Sequence, residues 1–128
     1  MIDILEAPDH VFAARLVGAL TGPDFDLVER EIEARIARNG RIGVAADLTE
    51  LSGVTPEALL KDLRYNIAKL GHWDQFPREA VITQRDWIAA VTKAIHPFVP
   101  KVEVRAFKPE ARGEAIAWAG DFAGAGAI

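Results

Sequence analysis

Residues 41–63, RIGVAADLTELSGVTPEALLKDL, decide the fold. The segment 42–48 is apolar at nearly every position, which is typical of a central parallel strand covered by helices on both sides. Thr55-Pro56-Glu57 then supplies a hydroxyl cap, a proline for the first turn and an early acid, which together predict a helix start. The polar residues between the two elements predict a loop at the carboxyl end of a strand, where α/β proteins place binding sites.

The rest of the chain extends this pattern in both directions. Phe25, Val28, Ile32 and Ile36 recur at helical spacing and predict a buried stripe on the first helix. Residues 102–107 alternate between apolar and polar, which predicts a half-exposed edge strand. Strands are predicted at 2–5, 10–18, 42–48, 79–83 and 102–107, and helices at 24–39, 55–70, 87–96 and 109–119.

This element order predicts a single α/β domain. A break at Ala7-Pro8-Asp9 indicates that the first two strands form an antiparallel hairpin. Alternating strands and helices after that imply a mostly parallel sheet between helices. We therefore expect a five-stranded mixed, mostly parallel sheet and four helices in the order ββαβαβαβα, spanning residues 1–119 and followed by a flexible Gly/Ala-rich tail at 120–128.

Composition excludes several classes of protein. The chain has no cysteine, so disulfides and thiolate chemistry are excluded. A net charge of −4 argues against nucleic acid as a partner, because phosphate binding requires a basic surface. The first ten residues lack the basic and apolar regions of a signal peptide, and no apolar run approaches the ~18 residues of a transmembrane helix. We expect a cytoplasmic protein that is not transmembrane.

Three segments resemble the STAS-type proteins, the family of sulfate-transporter and anti-sigma-factor-antagonist domains. They are DLTELSGVTPEALLKDL at 47–63, AVITQRDWIAAVTKAIHPFVP at 80–100 and VEVRAFKPEARGEAIAWA at 102–119. The resemblance points to the SpoIIAA-like branch, whose topology is described as CRAL-TRIO-like, and it implies the fold. The Asp-Ser-Ser-Gly-type phosphorylation motif of anti-sigma antagonists is absent, because the turn at 51–56 reads LSGVTP. Ser52 and Thr55 are the hydroxyls in that region, and no catalytic residue is implied.

The polar residues of the 41–63 segment allow two interpretations. Ser52 and Thr55 are candidates for phosphorylation or anion binding, because a helix N-terminus favours negative charge. The structural alternative, favoured for Thr55, is that it caps the helix while Ser52 lies in the turn. Asp47 and Glu50 are expected to be solvated loop acids, since no convergent ligand set predicts a metal site.

Aromatic residues concentrate around the second and third predicted helices. Trp73 and Phe76 lie in a polar loop, where a surface or pocket role is favoured, whereas Trp87 is expected to contribute to the core. His72 is the histidine best placed to contact a ligand. The predicted ligand-binding residues are Tyr65, His72, Trp73, Phe76, Trp87 and, at the polar rim, Ser52.

These features favour a non-catalytic module without cofactor or metal. It would bind an apolar or amphipathic, lipid-like molecule or a protein partner, and the sequence allows peripheral membrane contact and a homodimer. The alternative is an anti-sigma-antagonist-type regulatory module switched by Ser/Thr phosphorylation. An enzyme ranks third, because it would need Asp47 or Glu50 close to His72.

Overall fold

A computed structural model describes residues 1–53, 55, 75–95 and 102–123. Within these ranges the strands are β1 Ile2–Ile4, β2 Val11–Gly18, β3 Gly43–Leu51, β4 Arg78–Ile82 and β5 Glu103–Phe107. The α-helices are α1 Gly22–Asn39, α2 Asp86–Ile95 and α3 Arg112–Gly120, and a 3₁₀ turn at Pro109–Ala111 precedes α3. The helix predicted at 55–70 lies outside the described residues except for Thr55.

The five strands form one sheet in the order β1-β2-β3-β4-β5. Strand β1 is antiparallel to β2, whereas β2, β3, β4 and β5 are parallel to their neighbours. The predicted mixed, mostly parallel α/β sheet is therefore confirmed, with β3 at its centre and β5 at an edge. The apolar character of β3 follows from this position, because a central parallel strand has helices on both sides.

Strand β3 extends three residues further than the sequence predicts. Thr49, Glu50 and Leu51 belong to the strand instead of a polar loop. The register shifts by one residue between the pairs Arg15–Asp47 and Val17–Glu50, and the two strands stay paired beyond it. Local sequence could not reveal this extension, because it depends on pairing with another strand.

Helix α1 begins two residues before its predicted start, directly after the cap residue Thr21. The Asp24 backbone N–H donates to Thr21 Oγ1 at 3.4 Å, and the Thr21 N–H donates to Asp24 Oδ2 at 2.9 Å, which forms a capping box. Val28 and the two isoleucines of the predicted stripe pack against the sheet. Phe25 was also expected there, but it is 49% exposed, since it lies in the first turn beside the cap.

Helices cover the two faces of the sheet differently. On the α3 face, small helix residues pack against the sheet in one cluster: Val11, Ala13, Ala45, Ala80, Ile82, Phe107, Ala115 and Ala119. The α1/α2 face carries two clusters, one contacted by α1 and one that includes Ile88 of α2. The close contact on the α3 face requires Gly43, because a β-carbon there would lie 2.5 Å from the carbonyl carbon of Ala119.

The carboxyl end of α3 is held by side chains from the amino-terminal ends of three strands. His10 Nε2 lies 3.0 Å from the Gly120 carbonyl oxygen, and Arg78 Nη1 donates to the Trp118 carbonyl at 3.0 Å. Arg41 Nη1 donates to the Ala123 carbonyl at 2.9 Å. These donors satisfy carbonyl groups at and just beyond the end of the helix. Residues 124–128 lie outside the described ranges, so the flexibility of the 120–128 tail stays a prediction.

Asp9 joins the loop before β2 to the end of α1. Arg38 donates to both of its carboxylate oxygens at 2.9 Å, and Asn39 Nδ2 donates at 2.8 Å. These hydrogen bonds, that of Arg38 above all, hold the pKa of the Asp9 carboxyl well below its ordinary value of 3.8. The loop and the helix are therefore linked by a charge-assisted contact.

Candidate functional site

Ser52 lies at the carboxyl end of the central strand. Its side chain is exposed, while its backbone N–H donates to the Gly18 carbonyl oxygen at 3.1 Å. Gly53 follows with a φ of 71°, a left-handed conformation that glycine adopts without strain. The turn therefore presents the Ser52 hydroxyl to solvent from a fixed backbone position.

The loop after β4 supports this turn from the neighbouring strand. Gln84 Nε2 donates to the Thr49 carbonyl at 3.1 Å, and Arg85 Nη2 donates to the Leu51 carbonyl at 2.9 Å. The Arg85 backbone N–H donates in turn to Thr83 Oγ1 at 3.1 Å. The Arg85 guanidinium is thereby placed beside the residue that precedes Ser52.

Asp47 is a buried member of an ion pair, so the expectation of a solvated loop acid is wrong for it. It is 0% exposed, and its Oδ2 lies 2.7 Å from Arg112 Nη2. Its Oδ1 accepts hydrogen bonds from the Thr49 backbone N–H at 2.9 Å and from Thr49 Oγ1 at 2.6 Å. The physical reason is that Asp47 shares the α3 face with Ala45 and Ile82, where Arg112, the first residue of α3, reaches its carboxylate.

Glu50 behaves as the sequence predicted for a solvated acid. Its side chain is exposed and lies 3.3 Å from Arg15 Nε. Asp47 and Glu50 thus form ion pairs with different arginines, Arg112 and Arg15. His72, the histidine considered as their catalytic partner, lies outside the described residues.

Two of the predicted ligand-binding aromatics lie on the α1/α2 face. Phe76 is only 5% exposed and belongs to the cluster contacted by α1. Trp87 is partly buried and packs against the cluster that includes Ile88, in line with the core role expected for it. Thr55 is exposed. Tyr65, His72 and Trp73 lie outside the described residues, so their predicted roles stay predictions.

The strand register aligns two rows of side chains across the α1/α2 face. The small-residue row consists of Ala14, Ala46, Val81 and Ala106. The Glu79 row, one step closer to the amino-terminal ends of the parallel strands, consists of Phe12, Val44, Glu79 and Val104. Both rows are apolar except for one carboxyl group.

Glu79 is a candidate functional residue that the sequence interpretation missed. It is partly buried on β4, between β3 and β5. No cation or hydrogen-bond donor of the described residues contacts its carboxyl, and burial raises the pKa of this group. A signal was present in the sequence, because Ala80 and Ile82 alternate toward the α3 face and leave Glu79 on the opposite, apolar face.

The described part of the chain shows neither a metal site nor a membrane-spanning helix. No group of His, Cys, Asp or Glu side chains there is arranged to bind a metal ion. Within the same ranges, no helix combines the length and hydrophobicity that crossing a lipid bilayer requires.

Comparison with known proteins agrees with this architecture. A family model described as SpoIIAA-like matches residues 11–120. The chain is also similar to the crystal structure of an uncharacterised DUF3478-family protein with a SpoIIAA-like fold from Shewanella loihica PV-4. That similarity has 29% sequence identity and a TM-score of 0.66, and it covers 93% of this chain and 92% of the other. None of the curated proteins is a significant match. The chain therefore belongs to the SpoIIAA-like family.

Proposed function

We propose that this domain is a non-catalytic module that binds an apolar or amphipathic, lipid-like molecule on its α1/α2 face. The observation that carries the proposal is the small-residue row, which runs across four strands on this face. Alanine and valine side chains leave more space above a sheet than larger aliphatic residues would. The face is also apolar, as ligand pockets usually are.

The positions of the predicted site residues support the same face. Phe76 and Trp87 both pack on the α1/α2 side of the sheet. Ser52 is exposed at the carboxyl end of β3 and can supply a hydrogen bond at a polar rim. An apolar surface with few polar groups at its boundary suits an amphipathic ligand.

The acidic residues support a binding role over catalysis. Asp47 is fully buried and pairs with Arg112, so it is not available to a substrate. Glu50 is exposed and pairs with Arg15. Asp47 therefore lacks the accessibility that a general acid or base requires, and the accessible Glu50 is already engaged by a cation.

Native mass spectrometry and tryptophan fluorescence test this proposal. We expect co-purified acyl or alkyl species in the native spectrum, and a fluorescence change when fatty alcohols or fatty acids are added. The variant Trp87→Phe should weaken that change. The matched variant Trp118→Phe should preserve it, because Trp118 lies on α3 under the Arg78 guanidinium, 4.8 Å from its ring centroid. Absence of bound species together with no fluorescence response would overturn the proposal.

A regulatory module switched by phosphorylation is the second candidate. The observation that favours it is the Arg85 guanidinium on the carbonyl of Leu51, the residue before exposed Ser52, because arginine pairs strongly with phosphate. Phosphosite mapping of protein isolated from its native cells tests this function at Ser52 and Thr55. A chain that is unmodified in every growth condition would count against it.

A further inference from the structure

We propose that Glu79 binds the polar group of the ligand, and that this group is neutral, such as a hydroxyl, ester or amide. The inference rests on the proposed function, since it names the ligand chemistry that the α1/α2 face would select. A fatty alcohol or an acyl ester fits this description, whereas a free fatty acid does not.

The position of Glu79 gives the first argument. It lies on β4, between Val44 of β3 and Val104 of β5 in the same register row. Along its own strand, the next residue on the same face is Val81. A carboxyl in these apolar surroundings can contact any molecule bound over the centre of the face.

The unused hydrogen-bonding capacity of Glu79 gives the second argument. Three other acids of the described chain each lie beside an arginine: Asp47 contacts Arg112, Asp9 contacts Arg38, and Glu103 lies 3.6 Å from Arg78 Nε. Glu79 contacts no such cation within the described ranges. Glu79 is only partly buried, so its carboxyl keeps hydrogen-bonding capacity that a molecule bound on this face can use.

The chemistry of a desolvated carboxyl defines that group. Burial disfavours the ionised form and raises the pKa of Glu79, which favours the neutral acid. A neutral carboxyl has one O–H donor and further acceptor capacity, which matches a hydroxyl or a carbonyl. The same desolvation opposes an ionised ligand group at this position, whether carboxylate or ammonium.

Dodecanol and dodecanoate, which share a chain length, test the inference by tryptophan fluorescence titration at neutral pH. We expect the wild-type protein to bind dodecanol about tenfold more tightly than dodecanoate, the preference that one good hydrogen bond supplies. Glu79→Leu and Glu79→Met should abolish that preference, whereas Glu79→Gln, which keeps a donor and an acceptor, should retain dodecanol binding. Glu110→Leu is the control, because Glu110 is exposed in the 3₁₀ turn.

The possible outcomes separate the inference from the proposed function. An unchanged dodecanol preference in both apolar variants would overturn the role of Glu79 and leave lipid binding intact. Binding of neither compound, with no response to dodecane, would overturn both. Thermal unfolding without ligand adds an independent readout. We expect Glu79→Met to raise the melting temperature by removing an unpartnered carboxyl, and a lowered value would assign Glu79 a structural role instead.

Discussion

Substitution of Gly43 by alanine tests the close packing of α3 against β3. Gly43 begins β3, and its backbone N–H donates to the His10 carbonyl oxygen at 2.9 Å. An added β-carbon would lie 2.5 Å from the Ala119 carbonyl carbon and 3.3 Å from its α-carbon, and would overlap the Ala119 carbonyl oxygen. The obstruction is helix backbone, so a side-chain rotation cannot relieve it.

The magnitude follows from the movement that this contact requires. Carbon atoms normally approach to about 3.5 Å, so α3 must move by roughly 1 Å. Overpacking of this kind costs up to about 3 kcal/mol. Replacing glycine reduces the entropy of the unfolded chain and offsets about 0.7 kcal/mol. We therefore expect a net loss of about 2 kcal/mol, which lowers the melting temperature of a domain this size by about 7 °C.

Urea unfolding followed by circular dichroism measures this change. Gly113→Ala is the matched control, because Gly113 lies in α3 with no atom within 4 Å of an added β-carbon. We expect it to be neutral or to gain about 0.5 kcal/mol, since alanine favours a helix. A Gly43→Ala variant as stable as the wild type would refute the close contact between α3 and β3.

Two further predictions concern charged residues. Asp47→Asn should lower the free energy of unfolding by about 2 kcal/mol, because it leaves the Arg112 guanidinium without its counter-charge. The control Glu50→Gln, at an exposed residue, should change the free energy of unfolding by less than about 1 kcal/mol. Equal effects of the two substitutions in urea unfolding would contradict the buried ion pair. Asp9 has a lowered pKa, set mainly by the Arg38 hydrogen bonds, so its stabilising contribution is present above pH 3.8 and is lost as the pH falls further. The difference in free energy of unfolding between the wild type and Asp9→Asn should therefore shrink as the pH falls below that value. A difference that grows on acidification would contradict the lowered pKa of Asp9.

Features that depend on local sequence were predictable. The apolar stripe at helical spacing predicted a helix at 24–39, and the structure has it at Gly22–Asn39. The apolar run at 42–48 indicated a central strand, which the sheet order confirms. In both cases the signal and its physical cause lie within one segment of the chain.

Features that depend on distant residues were not predictable. Asp47 looked like a loop acid because its counter-charge, Arg112, comes from a helix far along the sequence. The extension of β3 depends on its pairing with β2 beyond a shift in register. The alternation along β4 could place Glu79 on a sheet face, but its neighbours Val44 and Val104 follow only from the strand register. Tertiary pairing, which no single segment encodes, determines each of these environments.

The contacts at the carboxyl end of α3 have a consequence for the order of folding. His10, Arg41 and Arg78 precede or begin three different parallel strands, and their contacts converge on the segment 118–123. This arrangement exists only when β2, β3 and β4 are aligned. Contacts between residues far apart in sequence close slowly, because ordering the intervening chain costs entropy. We expect α3 to dock late in folding, because the contacts at its carboxyl end form only after the strands have paired in the correct register.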